Sequence, residues 1–373
     1  MKTHVPAPRP RATTITDVAR EARVSVASVS RVVNGHENVT PETRKRILDA
    51  VERLRYVPHT AARSLITRKS QAIGVLLPDL HGEFFSELIR GIDEAAREHR
   101  IHLLVSSSHG DATEMAEAIR AMRGRVEGLL VLAPHLDTAG LGQIDAAVPT
   151  VFINSRISDG VSSALSIDGY GGARAMVRHL VSLGHRSIAH LTGPADNYDA
   201  HERERGYRDE LAKSLPSAQP IVVRGNFSEA SGYAGGRELA AASPRPAAVF
   251  AANDAMAIGC LAAFAELGVA PRDIALTGFD DIPLAAYVRP ALTTMRVPIV
   301  ELGRRAFVQL AAAIAQPGTA RAGTTWLATE LIVRESCGAA GPRAPSIASN
   351  ASPASPTSPA APGGPHAKPR KRR

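Results

Sequence analysis

Two residues stand where a chain of alternating strands and helices puts its ligand contacts. Asn253 follows the apolar run Ala247–Ala252, and Asp280 follows the run that begins at Ile274–Thr277. In parallel α/β sheets, residues just beyond a strand's carboxyl end face the ligand crevice. A carboxylate there is an acceptor-only group that can take two hydroxyl hydrogen bonds at once, which suits vicinal hydroxyls. Motifs for covalent or cofactor chemistry are incomplete. Gly169-Tyr170-Gly171-Gly172-Ala173-Arg174 puts Arg where a G-x-G-x-x-G loop needs its last Gly. The patterns G-x-x-x-x-G-K-[ST], G-x-S-x-G and H-E-x-x-H do not occur, and His201-Glu202 lacks a second His. Cys260 and Cys337 are far apart, without metal-ligand spacing. The expectation is therefore a binding protein: not an enzyme, with no catalytic residues, no cofactor and no metal.

The elements that must position these residues fall into blocks. Residues 1–13 hold Pro and Arg and read as a disordered arm. Residues 14–58 are dense in helix signals. Thr14-Ile15-Thr16-Asp17 is a capping-box pattern, Ser25 can cap a helix beginning at Val26, and Thr40-Pro41-Glu42 offers an N-cap, a first-turn Pro and an acid. Ile15, Val18 and Ala19 can meet Val29, Val32 and Val33, with Ile47, Val51 and Leu54 completing a small core. The turn between the first two helices is short, as in a helix-turn-helix.

Residues 71–337 alternate strand-like runs, apolar on both faces, with helical stretches. The runs are Ala72–Leu77, Ile101–Ser106, Gly128–Leu132, Thr150–Ile153, Ser187–Leu191, Ala247–Ala252 and Ile274–Thr277. The helices expected between them are Glu83–His99, Ala112–Arg123, Gly171–Leu183, Ala200–Lys213, Ser228–Ala241 and Asp254–Leu267. Such alternation makes βαβ units in covered parallel sheets. The span is too long for one simple sheet, so the expected core is α/β: two doubly wound parallel-sheet subdomains with a cleft between them. Residues 338–373, rich in Ala, Pro and Ser and ending in a basic run, read as a disordered tail.

Charge separates along the same boundaries. Residues 1–70 carry 14 Lys and Arg against 6 Asp and Glu, residues 71–337 carry 24 against 30, and residues 338–373 carry 6 against none. A basic N-terminal unit on an acidic core points to a polyanion, with double-stranded DNA the leading candidate. The first ten residues lack the apolar stretch of a secretory signal, and no run approaches a membrane span. With so few cysteines the expectation is a cytoplasmic protein that does not engage the membrane.

The residues also carry a resemblance. Thr14-Ile15-Thr16-Asp17-Val18-Ala19, Val24-Ser25 and Val29-Ser30-Arg31-Val32-Val33-Asn34 resemble the headpiece of lactose-repressor (LacI/GalR) family regulators. Tyr56-Val57-Pro58 and Ala61-Ala62-Arg63-Ser64-Leu65 resemble that family's hinge, here residues 59–70. Arg23 departs from the Gly that many members have in the turn. The resemblance implies that the second helix enters the major groove with Val26, Ala27 and Arg31 facing base edges. Arg31 can bind guanine O6 and N7 bidentately, while Val26 and Ala27 offer apolar contact to a thymine methyl. For Val26 the alternative is helix packing. Ser25, Ser28, Asn34, Arg44 and Lys45 are candidate phosphate contacts. In the hinge, Leu65 matches the residue pressed into the minor groove and Ala62 the small residue beside it. The alternative for Leu65 is packing between the headpieces of a dimer.

The resemblance continues through Ile73-Gly74-Val75-Leu76-Leu77-Pro78, Gly184-His185-Arg186-Ser187-Ile188-Ala189, Asn253-Asp254-Ala255 and Gly278-Phe279-Asp280-Asp281. It implies a periplasmic-binding-protein-like core whose two subdomains are crossed by three strands of chain. By resemblance Asp280 and Arg203 bind a small effector, and Phe84 and Phe85 lie against it. Asn197, Tyr198 and Asp199 share a variable loop and are further candidates. Alternatives stay open: Phe84 as core, Arg203 in a surface ion pair with Glu202 or Glu204, Asp254 and Asp281 as helix caps. With Arg203 the one cation among acids, the effector expected is a neutral sugar, polyol or nucleoside. The whole reads as a transcriptional regulator, most simply a repressor, binding a near-palindromic operator as a homodimer. The rival readings are a periplasmic-type solute binder and a dinucleotide-dependent enzyme.

Overall fold

Thr14 closes a reciprocal cap at the start of the first helix, α1 (Ile15–Ala22). Its hydroxyl accepts from the Asp17 amide, and the Asp17 carboxylate accepts from the Thr14 amide at 2.9 Å. Helix α2 (Val26–Val33) and helix α3 (Pro41–Arg53) follow, the latter capped by Thr40 with Pro in its first turn. Arg23 ends α1 in the left-handed conformation, φ 52° and ψ 49°. That is the strain expected of a non-Gly residue in this turn. The Arg46 guanidinium bonds the carbonyls of Ala22 and Arg23, tying α3 to the turn. Val18, Ala19, Ala22, Val29, Val32, Ile47 and Ala50 form the core of this unit. The computed structural model describes residues 13–33, 38–56, 70–135, 148–155, 163–316 and 323–338. Asn34, Ala62, Leu65, the arm before Thr13 and the tail after Gly338 lie outside them.

Two six-stranded sheets make up the rest. The first, ordered β11-β5-β4-β3-β1-β2, is parallel throughout. Its strands are β1 (Ala72–Leu77), β2 (His102–Ser107), β3 (Leu129–Leu132), β4 (Thr150–Ile153), β5 (Ser163–Ile167) and β11 (Gly323–Leu327). The second, β12-β10-β9-β8-β6-β7, is parallel except that β12 runs antiparallel to β10. It holds β6 (Ile188–Thr192), β7 (Ile221–Arg224), β8 (Ala248–Ala251), β9 (Ala275–Asp280), β10 (Thr293–Arg296) and β12 (Glu330–Ile332). The chain crosses between the sheets three times: after β5, after β10 and between β11 and β12.

Most strands are apolar on both faces because helices cover both. Strand β2 departs from that expectation. It sits at a sheet edge, and His102 and Val105 are exposed.

The helices between strands are α4 (Glu83–Glu98), α5 (Ala112–Met122), α6 (Gly169–Ser182), α7 (Tyr198–Ser214), α8 (Glu229–Ala241), α9 (Asp254–Glu266) and α10 (Ile299–Ala315). Side-chain caps start five of them: Asp111, Asp168, Asn197, Ser228 and Asn253 each accept from an amide of the first turn. Two helix pairs touch backbone to backbone. A Cβ on Gly91 of α4 would overlap the Val300 carbonyl, and one on Gly259 of α9 the Glu229 carbonyl. Neither neighbour is a flexible side-chain end, so the helices must part to admit a methyl. Gly259→Ala is expected to cost about 1–3 kcal/mol, read as a fall of several degrees in Tm. An unchanged Tm would show that α8 and α9 do not touch in this way.

Candidate functional site

The carboxyl ends of both sheets converge on one cleft of about 460 Å³. All seven residues expected at the effector site line it: Phe84, Phe85, Asn197, Asp199, Arg203, Asn253 and Asp280. Phe84 and Phe85 lie in the first turn of α4, edge to face with ring centres 5.6 Å apart. Both are half-buried, so Phe84 presents part of its ring to the cleft rather than vanishing into the core.

Arg203 is the cation at the centre. Its residue is 3% exposed and that of Asp280 5%, which rules out the surface-pair alternative with Glu202 or Glu204. The guanidinium donates to Asp280 Oδ1 at 3.2 Å and to the Ala252 carbonyl, and lies 3.9 Å over the Phe279 ring. Its Nε has no partner. Burial pushes the Asp280 carboxyl up to about 7 against the pull of Arg203. Burial likewise pushes Asp199 up to about 6, with Arg203 and a hydrogen bond from Asn154 opposing. Two carboxyls thus share one guanidinium, and at neutral pH the group is near the point of holding an extra proton.

The backbone is strained at the same place: Asp280 has φ 112° and Asp281 φ 55°. Asp254 and Asp281 cap no helix, contrary to that alternative. The Asp254 carboxyl accepts from the Ile282 amide at 3.0 Å and the Thr294 hydroxyl at 2.6 Å. Asp281 pairs with Arg334 at 2.6 Å and Arg296 at 2.8 Å. The turn that presents Asp280 is thereby pinned on both sides.

Asn253 and Asn197 have local duties. Asn253 caps α9 through its oxygen and donates to the Phe227 carbonyl at 3.0 Å, while the Asn197 oxygen caps α7. Each keeps spare amide capacity. Tyr198 does not line the cleft: it projects from α7 about 100° away from Asp199, which does. Sequence reasoning missed Asn154, Phe227, His81, His109 and His135, all of which line the cleft. Asn154 and His109 follow strands at the same kind of position as Asn253, which was the available signal. Contacts across the cleft include Tyr198 N donating to the Pro134 carbonyl at 3.0 Å and the Leu284 amide donating to Glu83 at 3.2 Å.

In the helical unit, Val26 is 42% exposed, while Val29 and Val32 of the same helix are buried, so packing does not consume Val26. Ala27 and Arg31 are also exposed. The Ser25 hydroxyl accepts from the Ser28 amide at 3.1 Å and bonds the Ser28 hydroxyl at 2.9 Å. Lys45 is exposed on α3 and Arg44 half-buried. Among the described residues no group of His, Cys, Asp and Glu is placed to hold a metal ion, and no helix is long and apolar enough to cross a membrane.

Residues 14–59 match the model of bacterial regulatory proteins of the lacI family, and residues 177–337 match that of the periplasmic binding protein-like domain. The chain is 36% identical over 310 residues to the ribose operon repressor of Escherichia coli K12, covering 82% of this chain and 94% of that protein. It is 34% identical over 295 residues to catabolite control protein A of Priestia megaterium, covering 78% and 89%. In structure it is similar to the Lac repressor dimer bound to operator and the anti-inducer ONPF: TM-score 0.78, 29% identity, 88% of this chain and 99% of that one. It is also similar to the CelR–cellobiose complex: TM-score 0.66, 30% identity, 87% and 99%.

The raised carboxyls have a pH signature. An unfolded Asp titrates near pH 4, whereas Asp280 holds its proton to about 7. The folded chain binds the extra proton between those values, so the stability it contributes at low pH is lost as pH rises towards 7. An Asp280→Asn variant, which cannot ionise there, should gain in Tm relative to the parent chain as pH is raised from about 5 to about 8. A Tm difference that does not change with pH would mean that Asp280 titrates as an ordinary carboxyl.

Proposed function

This chain belongs to the LacI family of bacterial regulatory proteins, and from that premise we propose that it is a cytoplasmic DNA-binding repressor, not an enzyme, released from its operator by an uncharged sugar-like effector. The observation that carries the reading is the pairing of a bare recognition helix with an acidic cleft whose one arginine is already paired. Val26, Ala27 and Arg31 leave one helix face free for base edges, with Arg31 reading guanine. Ser25, Ser28, Asn34, Arg44 and Lys45 hold phosphates and set register. Ala62 and Leu65 of the hinge enter the minor groove at the operator's centre.

One such unit makes few base contacts, so the working form is a homodimer on a near-palindromic site. Exposed Leu80, Leu284 and Tyr287 support a dimer face on the core. In the proposed organisation, residues 14–58 read DNA, 59–70 form the hinge and 71–337 hold effector and partner. The arm 1–13 and the basic tail 338–373 flank them.

The cleft lining supports an uncharged ligand. Asp79, Glu83, Asp196, Asp199, Glu229 and Asp280 face it, and its one arginine is already paired. A phosphorylated effector would meet that acidic wall. Asp280, Asp199 and Arg203 fit hydroxyl groups, Asn197 and Asn253 add amide contacts, and Phe84 and Phe85 fit the apolar face of a ring. The names of the ribose operon repressor and the CelR–cellobiose complex point the same way.

Gel-shift titration of a palindromic fragment from upstream of the gene, with and without ribose, glucose and cellobiose, tests the reading. Arg31→Ala should cost about 1–3 kcal/mol of operator affinity and relax preference at one guanine per half-site. Unaltered sequence preference would remove Arg31 from base recognition. Asp280→Asn should still bind operator but lose its response to the sugar that releases the parent chain. A full response in that variant would move the effector out of this cleft.

A further inference from the structure

Helix α7 has a second working face. Asp199 and Arg203 point into the cleft, whereas Tyr198, Glu202 and Arg205, spaced four and three residues apart, line a separate groove of about 660 Å³. Ser155, Ser166, Thr324 and Trp326 of the first sheet's strand ends and crossing strand face them. We propose that this groove is a second small-molecule site, distinct from the effector cleft, that takes an uncharged saccharide.

Three observations support it. Trp326 is 54% exposed on β11, and a flat indole left half in water suits the C–H face of a sugar ring. Ser166 is 1% exposed and its Oγ has no hydrogen-bond partner, although it lines the groove. A buried hydroxyl without a partner is costly, and a ligand hydroxyl would satisfy it. The groove's charged groups suit hydroxyl donors. Arg205 is held against the Tyr170 ring at 3.9 Å and paired with Glu202 at 2.6 Å, so it is not free for an anion. Asp168 uses one carboxylate oxygen to cap α6 at the Gly171 amide, 2.7 Å away, and the other remains an acceptor. Glu202 engages Arg205 through both carboxylate oxygens, at 3.2 and 2.6 Å. With that pair neutral and Asp168 left over, the groove disfavours phosphates and carboxylates and favours neutral polyols. The volume accommodates a disaccharide.

Trp326 is the chain's one tryptophan, so its fluorescence reports on this groove without labelling. The full chain is titrated with ribose, glucose and cellobiose. The expected result is a saturable change in indole emission with cellobiose that persists in Asp280→Asn, where the cleft is impaired. Ala328→Phe, which fills the groove, should abolish it, and Glu202→Gln should weaken it about tenfold. Both variants are checked by circular dichroism for a parental fold. Absence of a saturable change with all three sugars overturns the proposal. So does a change that survives both groove variants, or one that vanishes in Asp280→Asn while they leave it intact. That last result places binding in the cleft and leaves the effector reading standing.

Discussion

One buried guanidinium, paired with one buried carboxyl and close enough to feel a second, half-buried one, sets the terms for the rest of this molecule. Arg203 comes from α7 and Asp280 from the end of β9, so both must reach the same point to within 3.2 Å. Without Asp280 the Arg203 guanidinium would keep only the Ala252 carbonyl of these two acceptors. The fold spends strain to keep the pair. Asp280 and Asp281 hold positive φ without being Gly, a conformation that costs on the order of 1–3 kcal/mol per residue. Asp254, Arg296 and Arg334 over-determine that turn from α9, β10 and the chain after β12 respectively. With two acids and one cation, the group is complete only with a proton or with hydrogen-bond donors brought from outside. That incompleteness sets it apart from an ordinary internal ion pair.

Much of this was legible in the residues because it rests on local rules. Thr14, Ser25 and Thr40 signal helix starts by themselves, and every helix expected from the sequence lies within a few residues of its place. Strands such as Ala72–Leu77 show as unbroken apolar runs because helices cover both faces. Asn253 and Asp280 could be picked out by the same logic, since the end of a strand is a sequence position. Strands with weak runs were not legible. Ser163–Ile167 is interrupted by Ser, and Ile221–Arg224 is only four residues long, so Phe227 beyond it was missed too. Helix Ile299–Ala315 was also missed, although its packing against α4 closes one side of the first sheet.

Facing was the other limit. Tyr198 and Asp199 are neighbours in sequence and were grouped together, yet they project from one helix about 100° apart, one into the groove and the other into the cleft. Helical periodicity separates them only once the helix start is fixed at Asn197, and here the expected start lay two residues later. The pairing of Asp281 with arginines from β10 and from beyond β12 was likewise beyond reach. Nothing in the run Phe279-Asp280-Asp281 says which distant chain will come to meet it.

The three crossings between the sheets have a thermodynamic consequence. Two free bodies that close on a ligand forfeit translational and rotational freedom, at a cost of several kcal/mol. Here the chain after β5, after β10 and between β11 and β12 has already removed most of that freedom during folding. Whatever motion is left between the sheets is constrained at those crossings, with correspondingly less entropy to lose. A ligand of few atoms, with correspondingly little binding energy, is then sufficient to select one arrangement over another. Three tethers therefore lower the smallest ligand that can act as a signal, and do so without adding a single contact to the site.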